Sequence, residues 1–225
     1  MAYISTEDGY VAVFNLFDTK DAEDQERLLG HMKDIVNTAD YPGWVASTVH
    51  GALGRPGTAN YVQWRSREQL EARYQGAKFQ KKTVPQFASI ATSTNLIPTE
   101  VAFSQRHPSL DVVEISPDRD DYTVIIVMGV EPENQDRLVE LMSHPDEWVK
   151  TVPGYRSHSI HRGLDGTYVV NYAQWESQEL YETFHNLPEH ERPADVQKVR
   201  AEARPLVTSI KSNGYRTAHT RSAAR

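Results

Sequence analysis

The sequence predicts an α+β protein built from two tandem copies of one βαββαβ unit, and two observations lead to that fold class. The first is an internal repeat with a shift of 111 positions: Tyr-Pro-Gly-Trp at 41–44 recurs as Val-Pro-Gly-Tyr at 152–155, and Asn-Tyr-Val-Gln-Trp at 60–64 recurs as Asn-Tyr-Ala-Gln-Trp at 171–175. The second is that both copies contain the same order of strand-like and helix-like hydrophobic patterns.

The first strand and the first helix of each copy follow from hydrophobic spacing. Alternating and β-branched apolar residues predict strands at Val11–Phe17 and Tyr122–Val130. Apolar residues at helical spacing predict helices at Asp21–Thr38 and Glu133–Thr151, each of which ends just before a Pro-Gly pair. Each copy therefore begins with a strand and a helix.

A hairpin and a second helix follow in each copy. Strand-like segments on either side of Gly-containing turns predict hairpins formed by 44–50 with 58–64 and by 155–161 with 167–175. Ser66 and Ser177 come directly after these hairpins and suit helix N-caps, since acidic residues occupy the first turn that follows. A last strand completes each unit.

The order βαββαβ is that of the ferredoxin-like fold, an antiparallel sheet with both helices on one face. The other face of such a sheet needs cover, and two copies in one chain can bury these faces against each other. We therefore expect two ferredoxin-like domains, in residues 1–116 and 117–225, that associate as an intramolecular pseudo-dimer.

The composition excludes several classes of function. The 225 residues include 24 Lys and Arg against 31 Asp and Glu, and the net charge of −7 argues against a nucleic-acid partner. The chain has no Cys, which excludes disulfides and thiolate chemistry. No apolar segment reaches the roughly 20 residues of a membrane span, and the N-terminus lacks a basic and apolar leader. We therefore expect a cytoplasmic protein without membrane association.

The sequence argues against a nucleotide cofactor and against a metal centre. The glycine motifs GxGxxG and GxxxxGK(S/T), which bind phosphate groups, do not occur. His158 and His161 are three positions apart on a predicted strand, so their side chains face opposite sides of the sheet. No HxH or HExxH spacing supplies further ligands.

Asn171 and Trp175 share one face of a predicted strand, whereas Tyr172 lies on the other. An amide and an indole N–H within an apolar wall suit the binding of a flat, oxygenated aromatic molecule. The alternative is a structural role, because buried Trp is common in protein cores. His161, which repeats His50, is either a proton-accepting group in the pocket or a structural residue.

The segment 171–177, with Val-Pro-Gly-Tyr at 152–155, resembles the antibiotic biosynthesis monooxygenase family. The resemblance covers most of the second copy and, more weakly, the first copy from Val11 to about Tyr74. It implies a dimeric α/β barrel of ferredoxin-like units. It also implies a monooxygenase that oxidises a polycyclic phenol or anthrone, an aromatic polyketide intermediate, to a quinone with O₂ and without flavin, haem or metal.

The catalytic residues that the resemblance implies are Asn171, Trp175, Tyr181 and Arg200. Asn171 and Trp175 would hold the oxyanion of the deprotonated substrate, and Tyr181 or His161 would move protons. Arg192 and Arg204 are alternatives to Arg200, because the segment before Arg200 is longer than in the family. We expect further substrate contacts from His161, Asn60 and Trp64.

The first copy departs from this pattern. It keeps Asn60 and Trp64 but has Leu70 in the position of Tyr181 and Ser89 in the position of Arg200. We therefore expect the active site in residues 117–225 and a degenerate pocket in residues 1–116.

Two other functions fit the same aromatic pocket. One is a ring-modifying oxygenase that uses reduced flavin supplied by a partner, and the other is a non-oxidative polyketide cyclase or ligand-binding module. Because the two copies cover each other's sheets, we expect a monomer or one further homodimer.

Overall fold

The computed structural model describes residues 1–223, which form ten strands and six α-helices. The strands are β1 (Ala2–Ile4), β2 (Val11–Thr19), β3 (Trp44–Ala52), β4 (Gly57–Trp64), β5 (Ala91–Arg106), β6 (Val113–Ile115), β7 (Tyr122–Val130), β8 (Tyr155–Gly163), β9 (Tyr168–Trp175) and β10 (Val207–Ser222). The helices are α1 (Ala22–Asn37), α2 (Arg67–Gln75), α3 (Val84–Ala88), α4 (Gln135–Met142), α5 (Gln178–His185) and α6 (Ala194–Ala203).

Eight strands close into one antiparallel barrel, four of them from each copy. Their order around the barrel is β10-β3-β4-β2-β5-β8-β9-β7. β5 pairs with β2 of its own copy and with β8 of the other copy, and β10 pairs with β7 and with β3. The two long last strands therefore join the copies, and closure leaves no free sheet edge in the barrel.

The short strands β1 and β6 form a separate two-stranded sheet that packs on the barrel core and was not predicted. Gln63 Nε2 donates to the carbonyl of Tyr3 in β1 at 2.8 Å, and Gln174 Nε2 donates to the carbonyl of Glu114 in β6 at 2.9 Å. Gln63 and Gln174, which are equivalent in the repeat, thus each connect the barrel to one strand of the small sheet.

The barrel interior is filled by aromatic side chains that include two cross-copy pairs. His50 Nδ1 lies 3.2 Å from the carbonyl oxygen of Ala59, which can only accept, so Nδ1 carries the hydrogen and Nε2 accepts from Tyr172 Oη at 2.9 Å. His161 Nε2 and Tyr61 Oη, 3.2 Å apart, form the equivalent pair. Each pair joins one copy to the other.

The helices cover the outer face of the barrel. Ser66 and Ser177 are the N-caps of α2 and α5, as predicted, and each side chain accepts a backbone N–H of the first turn. The helix predicted at Glu133–Thr151 is wrong in length, because α4 ends at Met142 and only 149–151 forms a further helical turn. Pro145 explains the break, since proline disfavours helical backbone in the residue before it. Across residues 1–223, no helix has the length and apolar character needed to cross a membrane.

Candidate active site

A partly open cavity of about 160 Å³ lies in the first copy, between the helices and the outer face of the sheet. Its walls are mostly apolar and aromatic, with side chains such as Phe17, Met32 and Phe87. Apolar cavities of about 150 Å³ bind benzene. The enclosed part therefore has room for about one aromatic ring, and further rings of a larger ligand would extend along the mouth.

Within residues 1–223, two polar atoms in the cavity wall are buried without a hydrogen-bond partner: Asn60 Oδ1 and Trp64 Nε1. Strand alternation places both side chains on the outer face of β4, with backbones about 13 Å apart at roughly 3.3 Å per residue. Buried polar atoms are nearly always hydrogen-bonded in proteins. An acceptor and a donor left unpaired in the wall of an apolar cavity are groups that a polar ligand can satisfy.

Tyr74 and Asn15 add a hydrogen-bonded pair beside Asn60. Tyr74 Oη donates to Asn15 Oδ1 at 2.9 Å, and Asn15 lies directly opposite Asn60 in the β2–β4 pairing. Burial raises the pKa of Tyr74 to about 12, outweighing the opposing effects of Asn15 and of the Arg73 charge. The phenol therefore remains protonated near neutral pH and can donate a hydrogen bond or a proton.

Arg73 places a positive charge at the cavity wall. Its guanidinium carbon lies 4.2 Å from the ring centroid of Tyr41 and 4.8 Å from that of Phe79. Stacking on two rings holds the planar group in place and leaves its N–H edges available. A fixed cation beside an apolar cavity stabilises a bound anion such as a phenolate.

Arg73, Tyr74 and Asn15 were not predicted from the sequence. The predicted tyrosine lies six residues after the tryptophan, and the first copy has Leu70 at that distance. Leu70, Arg73 and Tyr74 follow the spacing i, i+3, i+4, which places them on one face of α2. That spacing is the signal that could have identified Arg73 and Tyr74.

In the second copy, Asn171 and Trp175 have the same positions in β9, and their Oδ1 and Nε1 atoms are likewise buried and unpaired. Here, however, aromatic side chains fill the space against the indole: the ring of Phe184 is centred 4.9 Å from that of Trp175, at an angle of 34°. Ile126 takes the place of Asn15 opposite Asn171. Asn171 and Trp175 are therefore positioned as predicted, but side chains of the same copy cover the indole.

Tyr181 lies beside Trp175, with ring centroids 5.8 Å apart, and burial raises its pKa. Arg200 is exposed, and its Nε lies 3.1 Å from an Oε atom of Glu189. Arg192 is the predicted alternative that reaches the aromatic cluster, since it is 4% exposed and stacks on the Phe184 ring at 5.0 Å. The structure therefore brings Asn171, Trp175, Tyr181 and Arg192 into one half of the molecule and leaves Arg200 on its surface.

His161 does not line this pocket, which corrects the expectation from sequence. It is opposite Val170 in the β8–β9 pairing, and Val170 faces the barrel interior, so His161 lies on the other side of the sheet from Asn171. It is 0% exposed, and burial lowers its pKa to about 4. Over residues 1–223, no three His, Cys, Asp or Glu side chains are arranged as a group that could hold a metal ion.

Comparison with known proteins identifies the family. A model of the antibiotic biosynthesis monooxygenases matches residues 121–196. Tetracenomycin-F1 monooxygenase of Streptomyces glaucescens is 32% identical over 97 residues, which are 43% of this chain and 87% of that enzyme. This chain belongs to the antibiotic biosynthesis monooxygenase family. It is accordingly an oxidoreductase, a monooxygenase that uses O₂.

Solved structures agree on the architecture. The crystal structure of an anthrone oxidase-like protein is 38% identical, with a TM-score of 0.93 over 100% of this chain and 98% of the other. A major regulator of staphylococcal pathogenesis has the same fold at 11% identity, with a TM-score of 0.54 over 92% of this chain and 99% of the other. The second likeness shows the fold alone, which serves more than one function.

Proposed function

We propose that this monooxygenase oxidises a planar polycyclic phenol of the anthrone type to a quinone with O₂, in the cavity of the first copy and without a bound cofactor. The observation that carries the proposal is one apolar cavity that brings together Asn60, Trp64, Arg73 and Tyr74. The relatives support the substrate class, because one is a tetracenomycin-F1 monooxygenase and another is an anthrone oxidase-like protein.

The proposed location differs from the expectation that the second copy catalyses. The family model matches residues in the second copy, whereas the cavity lies in the first. Sequence similarity reflects descent, but the reaction needs space for a substrate beside the polar groups. Because only the first copy has such a cavity among those described, we propose that turnover takes place in residues 1–116.

The overall reaction balances without an external reductant. The CH₂ group of an anthrone reacts with O₂ to give C=O and H₂O, so one oxygen atom enters the product and the other leaves as water. The substrate carbon supplies all four electrons that reduce O₂.

Deprotonation of the bound anthrone is the first step. Its C–H proton passes to water at the cavity mouth, because the lining contains no carboxylate or imidazole. The charge spreads through the ring system onto the carbonyl oxygen opposite the CH₂ group, where the guanidinium of Arg73 and Trp64 Nε1–H stabilise it. One preorganised donor of this kind contributes about 3 kcal/mol in acyl-transfer enzymes.

Oxygen then reacts with the anion. The anion passes one electron to O₂, and the resulting radical pair combines into a C–O bond, which gives a peroxide anion at the former CH₂ carbon. The protonated phenol of Tyr74 donates the proton that forms the hydroperoxide, and its phenolate regains a proton from water at the cavity mouth. Loss of water from the hydroperoxide yields the C=O group of the quinone.

The two-domain organisation is part of the same proposal. We take residues 1–116 and 117–225 as two ferredoxin-like domains that associate as an intramolecular pseudo-dimer. The symmetric His–Tyr pairs and the exchange of pairing by β5 and β10 support it. Because the closed barrel has no free edge, the protein should be a monomer, and light scattering should give a mass near 25.5 kDa.

The test is oxygen uptake by flavin-free, metal-stripped protein given 1,8-dihydroxyanthrone, with Trp64→Phe and Trp175→Phe as a matched pair. We expect uptake by the wild type, a loss of about 100-fold in kcat for Trp64→Phe and less than threefold for Trp175→Phe. The reverse order would place turnover in the second copy. Uptake only after addition of reduced flavin would favour the flavin-dependent oxygenase, and no uptake in either case would favour a cyclase or binding module.

A further inference from the structure

A β-bulge at the start of β3 brings Trp44 and Ser47 to the same face of the sheet. Residues three positions apart on a regular strand face opposite sides. Between Trp44 and Ala46, however, β3 advances by two residues while its partner β4 advances by one, so β3 contains one extra residue. Both side chains therefore line the cavity of the first copy, where Trp44 is 5% exposed and Ser47 is 4% exposed.

The hydroxyl of Ser47 has a hydrogen that is free to bind a ligand. Trp44 Nε1 lies 2.9 Å from Ser47 Oγ, and an indole nitrogen can only donate, so Ser47 is the acceptor in this bond. Within the part of the chain that the structure describes, residues 1–223, Ser47 Oγ makes no other hydrogen bond. The bond received from the indole also polarises the O–H group, which makes it a better donor.

Ser47 lies between the two unpaired polar groups of the cavity wall. It is directly opposite Val62 in the β3–β4 pairing, and Val62 separates Asn60 from Trp64 on the outer face of β4. The backbone of Ser47 is therefore diagonal to those of Asn60 and Trp64, at about 7 to 8 Å from each. Ser47 and Trp64 thus provide two neighbouring donors that can bind oxygen atoms on one edge of a fused-ring ligand.

The equivalent pair in the second copy has no hydrogen to spare. The repeat places Tyr155 and His158 in the positions of Trp44 and Ser47. Tyr155 Oη donates to the carbonyl of Gln105 at 3.1 Å, so it accepts from His158 Nδ1 at 2.9 Å. Burial lowers the pKa of His158 to about 4, and the neutral imidazole has only this one N–H. The free donor therefore belongs to the copy that contains the open cavity.

We propose that Ser47 is a substrate-binding residue that selects phenols whose hydroxyl group is next to the ring carbonyl. The hydrogen of such a phenol bonds to the carbonyl within the substrate, so the phenol oxygen can accept from Ser47 Oγ on its other side. The carbonyl oxygen beside it is the one that Trp64 and Arg73 bind. This inference rests on the proposed function for the ligand class and for the cavity, and it adds a preference among the possible substrates.

The test compares two stable quinones with the same three rings. 1,8-Dihydroxyanthraquinone has the phenol oxygens that Ser47 recognises, whereas anthraquinone has none. Quenching of tryptophan fluorescence measures the affinity of each. Ser47→Ala should weaken binding of 1,8-dihydroxyanthraquinone about fivefold, which is typical of one hydrogen bond, and change that of anthraquinone by less than twofold. A purely structural role of Ser47 would weaken both quinones equally, and that result would overturn the proposal.

Two further variants complete the comparison. Ser47→Thr keeps the hydroxyl and should keep the preference for the hydroxylated quinone. Ser159→Ala is the matched control, because the Ser159 hydroxyl bonds to that of Ser104 away from the cavity, and both affinities should be unchanged.

Binding also separates this inference from the proposed function. Weaker binding in Trp64→Phe but not in Ser47→Ala would leave the cavity as the site and overturn the role of Ser47. The expected effect of Ser47→Ala, in a protein that takes up no oxygen with 1,8-dihydroxyanthrone, would establish Ser47 as a binding residue while the proposed oxidation fails.

Discussion

The two copies share their strand motif and differ on the helix face that covers it. Both keep an Asn and a Trp on the outer face of the equivalent strand, with the same unpaired atoms. The covering face of α2 has Leu70, Arg73 and Tyr74, whereas the equivalent positions of α5 are Tyr181, Phe184 and His185. The first arrangement surrounds a cavity, and the second fills one.

The strand motif thus supplies the polar groups, while the helix face determines whether a ligand can reach them. A long, charged Arg73 lies flat against Tyr41 and Phe79 at the edge of the cavity, since its guanidinium stacks on their rings. The ring of Phe184 instead packs inward on Trp175, because burial of an aromatic side chain is favourable. The residue at this position of the repeat, Arg73 or Phe184, thus distinguishes the open cavity of the first copy from the filled pocket of the second.

Replacing Arg73 by the residue of the other copy should have the largest effect. Arg73→Phe removes the cation and places a ring against Trp64, so we expect kcat/KM for anthrone oxidation to fall at least 100-fold, or about 3 kcal/mol in transition-state stabilisation. Arg67→Phe, at an exposed position at the start of α2, is the control. Activity of Arg73→Phe within threefold of the wild type would show that this position does not determine the activity of the first copy.

Much of the fold was predictable from local patterns. The strand at Tyr122–Val130 and both serine N-caps are where the sequence places them, because a strand's alternation and a cap's side chain are local properties. Local patterns could not identify which copy contains the proposed active site. Whether Phe184 packs inward depends on the side chains around it in three dimensions, and the shared Asn–Trp motif contains no such information.

The His–Tyr pairs of the barrel interior should respond equally to acid in the two copies. Burial lowers the pKa of His50 and of His161 from 6.5 to about 4, so below pH 6.5 the unfolded chain takes up protons that the folded chain does not. The free energy of unfolding should therefore fall as pH drops from 6.5 to 4, by on the order of 3 kcal/mol per histidine.

Urea unfolding between pH 7.5 and pH 4 measures this loss. His50→Gln and His161→Gln should each reduce its pH dependence by the same amount, because their environments are equivalent. His190→Gln, at a side chain that is 83% exposed, should leave the pH dependence unchanged. Clearly unequal slopes for the two buried variants would mean that the barrel interior is not symmetric.

Removal of the tyrosine hydroxyl in each copy tests which copy supplies the proton. Tyr74→Phe removes the hydroxyl that donates to Asn15, and we expect kcat to fall about tenfold with little change in KM. Tyr181→Phe, beside Trp175 in the second copy, should change kcat by less than twofold. Because the pKa of Tyr74 is about 12, wild-type kcat should show no loss from its ionisation up to pH 10. An equal effect of the two variants would argue that both copies turn over substrate.

The smallest effect concerns the helices that carry these faces. The Ser66 and Ser177 side chains each accept a backbone N–H, from Gln69 and Leu180, so replacement of either by Ala should cost about 1 kcal/mol of stability. Only Ser66→Ala should also raise KM, by about twofold, because α2 positions Arg73 and Tyr74 at the cavity. Steady-state kinetics beside thermal unfolding separates the two effects. Equal stability losses with a KM change confined to Ser66→Ala would assign substrate binding to the first copy without altering any residue of its cavity.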